Sequence, residues 1–219
     1  MLLDDYIDGS EEWELVLDID LLAEGEDEDW VWKGAQCLRP AYRRCLLNLS
    51  RGGADAVVVR EFDVETKTFV MDGFSITEAK QRISWIDENA VWVGSDFGDG
   101  SLTDSGYPRT ARLWKRGEPI EEATEVFAGE QADVAAGVYR TWDRDDSYDV
   151  AYRVPSFFET LNYLYTGDGD FQHIDIPADA DFVGVIKGQM LVQLKTDWEI
   201  GETTFPQAAL MSIDFERFM

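Results

Sequence analysis

The chain has 219 residues, 45% of them hydrophobic and 13% aromatic, enough apolar material for a sizeable core and too much for a disordered chain. Its formal charge of −26, from 45 acidic against 19 basic residues, argues against binding to a phosphate backbone, which depends on clustered Lys and Arg. No apolar run is long enough to span a bilayer, and Met1-Leu2-Leu3-Asp4-Asp5 lacks the basic start and apolar core of a signal peptide, so a soluble chain of the cytoplasm or periplasm, with no membrane partner, is expected.

Residues 1–11 are polar and acidic and read as a loop or frayed terminus. Glu12 to Asp20 alternates apolar and polar residues, with Trp13, Leu15 and Leu17 on one face, and reads as an outer strand left from a preceding sheet. Residues 21–29 form a charged connector with room for one helical turn. From Trp30, two strands (WVWKGAQCL and RRCLLNLS), a turn at 50–55, a third strand (AVVVREFD) and a fourth (TKTFV) follow in order. Residues 72–81 form a crossover whose brief helix-compatible run is too short to count as an element.

The same order of parts returns from Ile83 to Phe127: ISWI, a polar turn at 87–89, AVWVG, a long Gly/Asp/Ser loop, Arg109 to Lys115, and Thr124 to Phe127. It returns again from Val134, with VAAGVYRTW, DVAYRVPSF, Thr160 to Tyr165, a turn at 166–170 and Phe171 to Ile176. A further copy starts at Phe182-Val183-Gly184-Val185-Ile186, runs through MLVQLKTDWEI and reaches ALMSIDF without a final strand. First strands recur about every 50 residues, the period of propeller blades rather than of helical solenoids. A sandwich also has many short strands but no reason to repeat a four-strand order. The expected fold is therefore all-β: a β-propeller segment of three to four four-stranded antiparallel blades. Residues 1–29 end a preceding blade and connector; 30–71, 82–128 and 133–177 are blades; 178–219 is an incomplete blade.

Few residues suggest chemistry. Cys37 and Cys45 flank Pro40-Ala41-Tyr42 and could face each other across a hairpin, yet two thiols make no disulfide framework or metal site, so buried free cysteines are expected. Asp143, Asp145, Asp146 and Asp149 form an acidic cluster that lacks the spacing of a calcium loop, and Asp96, Asp99 and Asp104 lie in the long loop of the second repeat; both groups read as solvated turns. Carboxylates are too numerous for a glycosidase-type pair to stand out. Trp30, Trp32, Trp85, Trp92, Trp114 and Trp142 fall in strand runs, where their rings would fill space between blades rather than form a ligand platform. Arg39, Arg43 and Arg44 are expected to pair with neighbouring acids.

Taken in order, Trp30-Val31-Trp32-Lys33-Gly34-Ala35, Ser50-Arg51-Gly52-Gly53-Ala54-Asp55, Asp96-Phe97-Gly98, Ser101-Leu102-Thr103-Asp104-Ser105-Gly106-Tyr107-Pro108 and Leu113-Trp114-Lys115-Arg116-Gly117 resemble the N-terminal propeller of the prolyl oligopeptidase family of serine peptidases, most closely its bacterial branch. The resemblance extends from about Trp13 to the end of the chain. It implies a parent hydrolase with a seven-bladed propeller and an α/β-hydrolase domain carrying a Ser/Asp/His triad. In that family the propeller restricts entry to short peptides, which are cut after proline. This chain departs from the pattern by stopping after some three and a half blades.

The residues agree that the chemistry lies elsewhere. No Gly-x-Ser-x-Gly elbow occurs: Gly73-Phe74-Ser75-Ile76-Thr77 lacks the second glycine, and Gly100-Ser101-Leu102 is in the wrong register. The single histidine, His173, sits in a strand-like run and reads as a blade-edge residue rather than a general base. No catalytic, cofactor-binding or metal-ligating residue is nominated, and no cofactor is expected. The function expected is a noncatalytic propeller portion that gates short proline-containing peptides, its partners being the parent's hydrolase domain and those peptides. The alternative is a free-standing module that binds protein or carbohydrate. Bare blade flanks are expected to favour self-association.

Overall fold

A computed structural model describes residues 3–9, 12–167 and 169–219; Met1, Leu2, Ser10, Glu11 and Asp168, the last within the expected 166–170 turn, lie outside the described residues. The chain forms two compact units, residues 1–78 and 79–219.

The first unit begins with a short helix rather than the expected loop. α1 (Leu3–Ile7) closes with the Asp8 N–H on the Asp4 carbonyl at 2.9 Å and a left-handed Gly9. The expected strand over Glu12 to Asp20 is absent. Residues 12–17 are irregular, and α2 (Ile19–Glu26) follows, two turns long where one was anticipated. Asp18 decides the outcome, because its carboxylate accepts from the Asp20 and Leu21 N–H groups and caps the helix. Only Leu17 of the three expected inward residues packs against a core; Trp13 and Leu15 are exposed.

β1 (Trp30–Cys37), β2 (Arg44–Arg51), β3 (Val57–Asp63) and the two-residue β4 (Thr68–Phe69) form a meander. β2 lies between β1 and β3 and is covered on both faces, with Cys45, Leu46, Leu47 and Leu49 all buried. The residues read as a crossover hold a strand instead: β5 (Ser75–Ala79) pairs with β3. Glu61 organises this approach. Its backbone N–H donates to the Phe74 carbonyl at 2.9 Å, and its carboxylate accepts from the Phe74 N–H at 2.8 Å. Gly73 permits the contact, since a Cβ there would meet Glu61 and Val70 at 2.8 Å.

The second unit contains three stacked sheets. β6 (Arg82–Asp87), β7 (Ala90–Gly94), β8 (Thr110–Lys115) and β9 (Thr124–Ala128) form one meander, with a short 3-10 turn at Ile120–Glu122 before β9. β10 (Ala135–Asp143), β11 (Asp146–Ser156), β12 (Glu159–Gly167) and β13 (Asp170–Ile174) form the next. In the last, β14 (Asp181–Ile186) and β15 (Gln189–Gln193) pair in order, and a small hairpin of β16 (Trp198–Ile200) and β17 (Thr203–Phe205) intervenes. β18 (Leu210–Asp214) then pairs with β15, and α3 (Phe215–Phe218) ends the chain. The run MLVQLKTDWEI is thus divided between β15 and β16.

Alternation puts one face of each strand on a neighbouring sheet. Trp92 and Ala111 meet Val138 and Ala151 between the first two sheets of this unit, with Phe127, Tyr163 and Phe171 around them. Val150 and Ile174 meet Val185, Met190, Val192 and Phe215 between the next two. Each large apolar side chain removed from water in this way contributes about 1.5–3 kcal/mol. The fold is all-β, built of antiparallel sheets, and within the second unit these stack in chain order, as blades of a propeller do. No helix among the described residues is long and apolar enough to cross a membrane.

Candidate functional site

The residues singled out by sequence do not converge on one centre. Cys37 and Cys45, expected as free thiols, form a disulfide. They are register partners across β1 and β2, with Cα atoms 3.9 Å apart, so strand pairing alone brings the sulfurs together. The bond lies beside an apolar cavity of about 370 Å³ lined by Leu17, Trp32, Leu47, Phe62 and Val64 among others. Trp32 is 47% exposed, which departs from the expected core role, whereas Trp30, Trp85, Trp92 and Trp114 are buried and Trp142 is half-buried.

The acidic cluster of the third repeat is not a solvated turn throughout. Asp145 and Asp146 are exposed, but Asp143 and Asp149 are each only 8% exposed and do separate structural work. The Asp143 carboxylate accepts from the backbone N–H groups of Lys187 and Gly188, at 2.7 and 2.6 Å, in the tight turn between β14 and β15. Those two hydrogen bonds hold its carboxyl below the ordinary range. Asp149 accepts from Trp92 Nε1 at 2.8 Å and forms a two-pronged pair with Arg140, at 2.9 and 2.6 Å. Arg140 also donates to the Ile86 carbonyl, and its backbone N–H donates to Ser84 Oγ at 3.0 Å. One carboxylate and one guanidinium therefore join β7 and β6 of one sheet to β10 and β11 of the next.

The long Gly/Asp/Ser loop is likewise tied down. Ser101, 3% exposed, accepts from the Phe97 N–H and donates to the Gly98 carbonyl, while Thr103 Oγ1 donates to the Val134 carbonyl. Asp96 accepts from the Gly98 N–H, Asp104 accepts from Gln131 Nε2, and Asp99 is exposed. Nearby, Asp133 accepts from Arg153 and from the Glu130 N–H. Burial would raise its carboxyl, but these partners outweigh burial and hold it below the ordinary range. Among the described residues, no group of three or more His, Cys, Asp or Glu is placed to hold a metal ion.

His173 is exposed on β13, an outer strand, with its ring 5.2 Å from that of Tyr163. Arg43 pairs with Asp63 and Glu65, and Arg44 lies 3.4 Å from Asp63 and 3.7 Å from Glu61, as expected for this basic cluster. The residues missed by sequence reasoning are Arg140, Arg153 and Asp133. Trp92 and Asp149 are 57 positions apart, so no local pattern could have joined them. The contacts of Trp92, Arg140, Asp143 and Asp149 fasten sheets to each other; none of the contacts described offers an activated nucleophile beside a base.

Comparison with known proteins fits this scaffold. The family described as prolyl oligopeptidase, N-terminal β-propeller domain, matches residues 3–152. An uncharacterized peptidase of Sinorhizobium fredii is 38% identical over 217 residues, covering 96% of this chain and 30% of that protein. An uncharacterized peptidase of Rickettsia prowazekii is 27% identical over 227 residues, covering 98% of this chain and 31% of its own length. A solved post-proline cleaving enzyme from Rickettsia typhi superposes with a TM-score of 0.91 at 25% identity, over 99% of this chain and 33% of that one. The chain spans about a third of the length of each of these relatives. With its repeated antiparallel meanders, the chain belongs to the prolyl oligopeptidase family, as part of that family's N-terminal β-propeller domain.

Proposed function

We propose that this chain is the noncatalytic propeller portion of a prolyl oligopeptidase-type serine peptidase, restricting access of short proline-containing peptides to an α/β-hydrolase domain carried by the rest of the protein. The observation that carries the reading is the coverage itself: 96% of this chain aligns with 30% of a peptidase. The sequence supplies neither a nucleophile elbow nor a second histidine, so a triad has to come from outside these residues. Stacked sheets joined by buried hydrogen bonds from Trp92 to Asp149 and from Arg140 to Ile86 suit a rigid barrier, since the barrier can sort peptides by size only if neighbouring blades stay together.

The test is size discrimination by the whole protein. A blocked short peptide ending in Pro-anilide should be cut, and a long unfolded polypeptide with the same Xaa-Pro bond should be cut far more slowly. Asp149→Ala, which loosens the junction between two sheets, should narrow that gap. Equal cleavage of both substrates by the unaltered protein would overturn the gating role.

A free-standing binding module is the second reading, favoured by the apolar cavity beside Trp32, whose volume of about 370 Å³ is in the range of small-ligand pockets. A hydrolase segment following in the same reading frame separates the two.

A further inference from the structure

The second unit holds a pair of cations that no carboxylate among the described residues satisfies, in a chain with more than twice as many acidic as basic residues. Lys80 is half-buried, with Nζ 4.3 Å from the centre of the Tyr107 ring, and the Arg82 guanidinium lies 5.9 Å from the same centre. Among the described residues neither forms an ion pair. Arg82 donates to the Gln81 carbonyl at 3.0 Å and hydrogen-bonds the Tyr152 side chain. Four acids of the flanking segments are engaged elsewhere. Glu78, two residues before Lys80, is held by Arg51, and Asp133 is held by Arg153. Asp96 and Asp104 bind the loop's own N–H and the Gln131 amide.

The surroundings are built to keep the pair in place. Tyr152 stands directly opposite Gly137 in the β10–β11 register, and a Cβ on Gly137 would meet the Tyr152 hydroxyl at 2.8 Å. Only glycine lets that ring lie across β10, the first strand of its sheet, while its hydroxyl bonds Arg82 on β6, the first strand of the neighbouring sheet. Tyr107 is positioned by the loop: the Thr103 N–H donates to its carbonyl, and the Ala136 N–H donates to that of Pro108. Arg82 itself is exposed, so its remaining N–H donors are open to solvent, and Lys80 beside it is half-buried.

We propose that Lys80 and Arg82, braced by Tyr107 and Tyr152, form a carboxylate-binding site. A planar carboxylate accepts a forked pair of hydrogen bonds from a guanidinium and a third from an ammonium, which is the unspent donor set here. The overall charge of −26 repels anions at long range, so binding depends on these short contacts and is selective for a ligand that fits between them. Two sources present such a carboxylate, a peptide C-terminus and a free organic acid.

Calorimetry on the 219-residue chain separates these sources with three probes: a blocked tripeptide acid, the same tripeptide as its C-terminal amide, and succinate. The acid is expected to bind at least about tenfold more tightly than the amide, the effect of losing one charge-assisted contact. Tighter binding of the tripeptide acid than of succinate assigns the site to chain termini, and the reverse assigns it to free acids. Lys80→Met and Arg82→Gln should each weaken acid binding by about tenfold, and Gly137→Ala should do so by displacing Tyr152, whereas Lys115→Gln should not. A footprint on the unaltered chain guards against misfolded variants: the tripeptide acid should slow acylation of Lys80 by an amine-reactive ester and leave Lys115 unchanged. Equal binding of acid and amide, no binding of either carboxylate, or unchanged affinity and footprint at Lys80 would overturn the proposal.

Discussion

Asp149→Ala tests whether a single polar junction holds two adjacent sheets together. Asp149 is 8% exposed and its partner Arg140 17% exposed at the side chain, so removing the carboxylate leaves a guanidinium mostly out of water without its counter-charge. Breaking a fully buried pair costs about 3–5 kcal/mol, and the residual exposure of Arg140 and its remaining bond to Ile86 place this case near the lower end. The Trp92 indole N–H, on a side chain 3% exposed, also loses its acceptor, which adds about 1 kcal/mol. A total near 3–4 kcal/mol corresponds to a fall in melting temperature of roughly 6–16 °C for a chain of this size. Asp149→Asn keeps an oxygen for Trp92 and should lose about half as much. Scanning calorimetry and urea unfolding of the three proteins provide the comparison. A melting point for Asp149→Ala within about 2 °C of the unaltered chain would show that the junction contributes nothing of substance.

Other outcomes follow from the same contacts. Removing the disulfide with Cys37→Ser and Cys45→Ser should lower stability by about 2.5 kcal/mol, the chain-entropy value for a closed loop of this length, measured by urea unfolding with and without reductant. Asp143 is held below the ordinary carboxylate range by the Lys187 and Gly188 N–H groups, and Asp133 by Arg153 and Glu130 against the opposing effect of burial. Their stabilisation is complete above about pH 4 and is lost as the pH falls through their folded values, because protonation then costs the folded state more than the unfolded one. Asp143→Asn should therefore flatten the acid limb of a stability-versus-pH curve. Among the described residues β18 pairs only with β15, so its other edge has no strand partner there, and Leu210 on it is exposed; light scattering should show self-association at high concentration, reduced by Leu210→Lys.

The sheets were legible because their signal is local. Ile83 to Phe127 shows strand alternation broken by Asn89 and Gly117, and the structure forms the four strands in that order. Glu12 to Asp20 misleads for a local reason too. Its alternation suits a strand, but Asp18 offers a helix cap, and the following Leu21 and Leu22 suit a helix better. β5 was hidden because the reason for it lies in Glu61, 14 residues before the strand starts, and in a glycine that allows close approach. The disulfide depends on exact register, which composition cannot provide. Asp143 and Asp149 looked like members of one turn, yet their partners lie on different neighbouring sheets, and such partners emerge only after the sheets stack.

The most direct test of the account compares this chain alone with the same chain in the whole protein, using a blocked Gly-Pro anilide and following release of the chromophore. No turnover above the uncatalysed rate is expected for the chain alone, and ready turnover for the whole protein. Turnover by the purified 219 residues, or an inert whole protein that is folded, would contradict the assignment of a noncatalytic propeller to a post-proline peptidase.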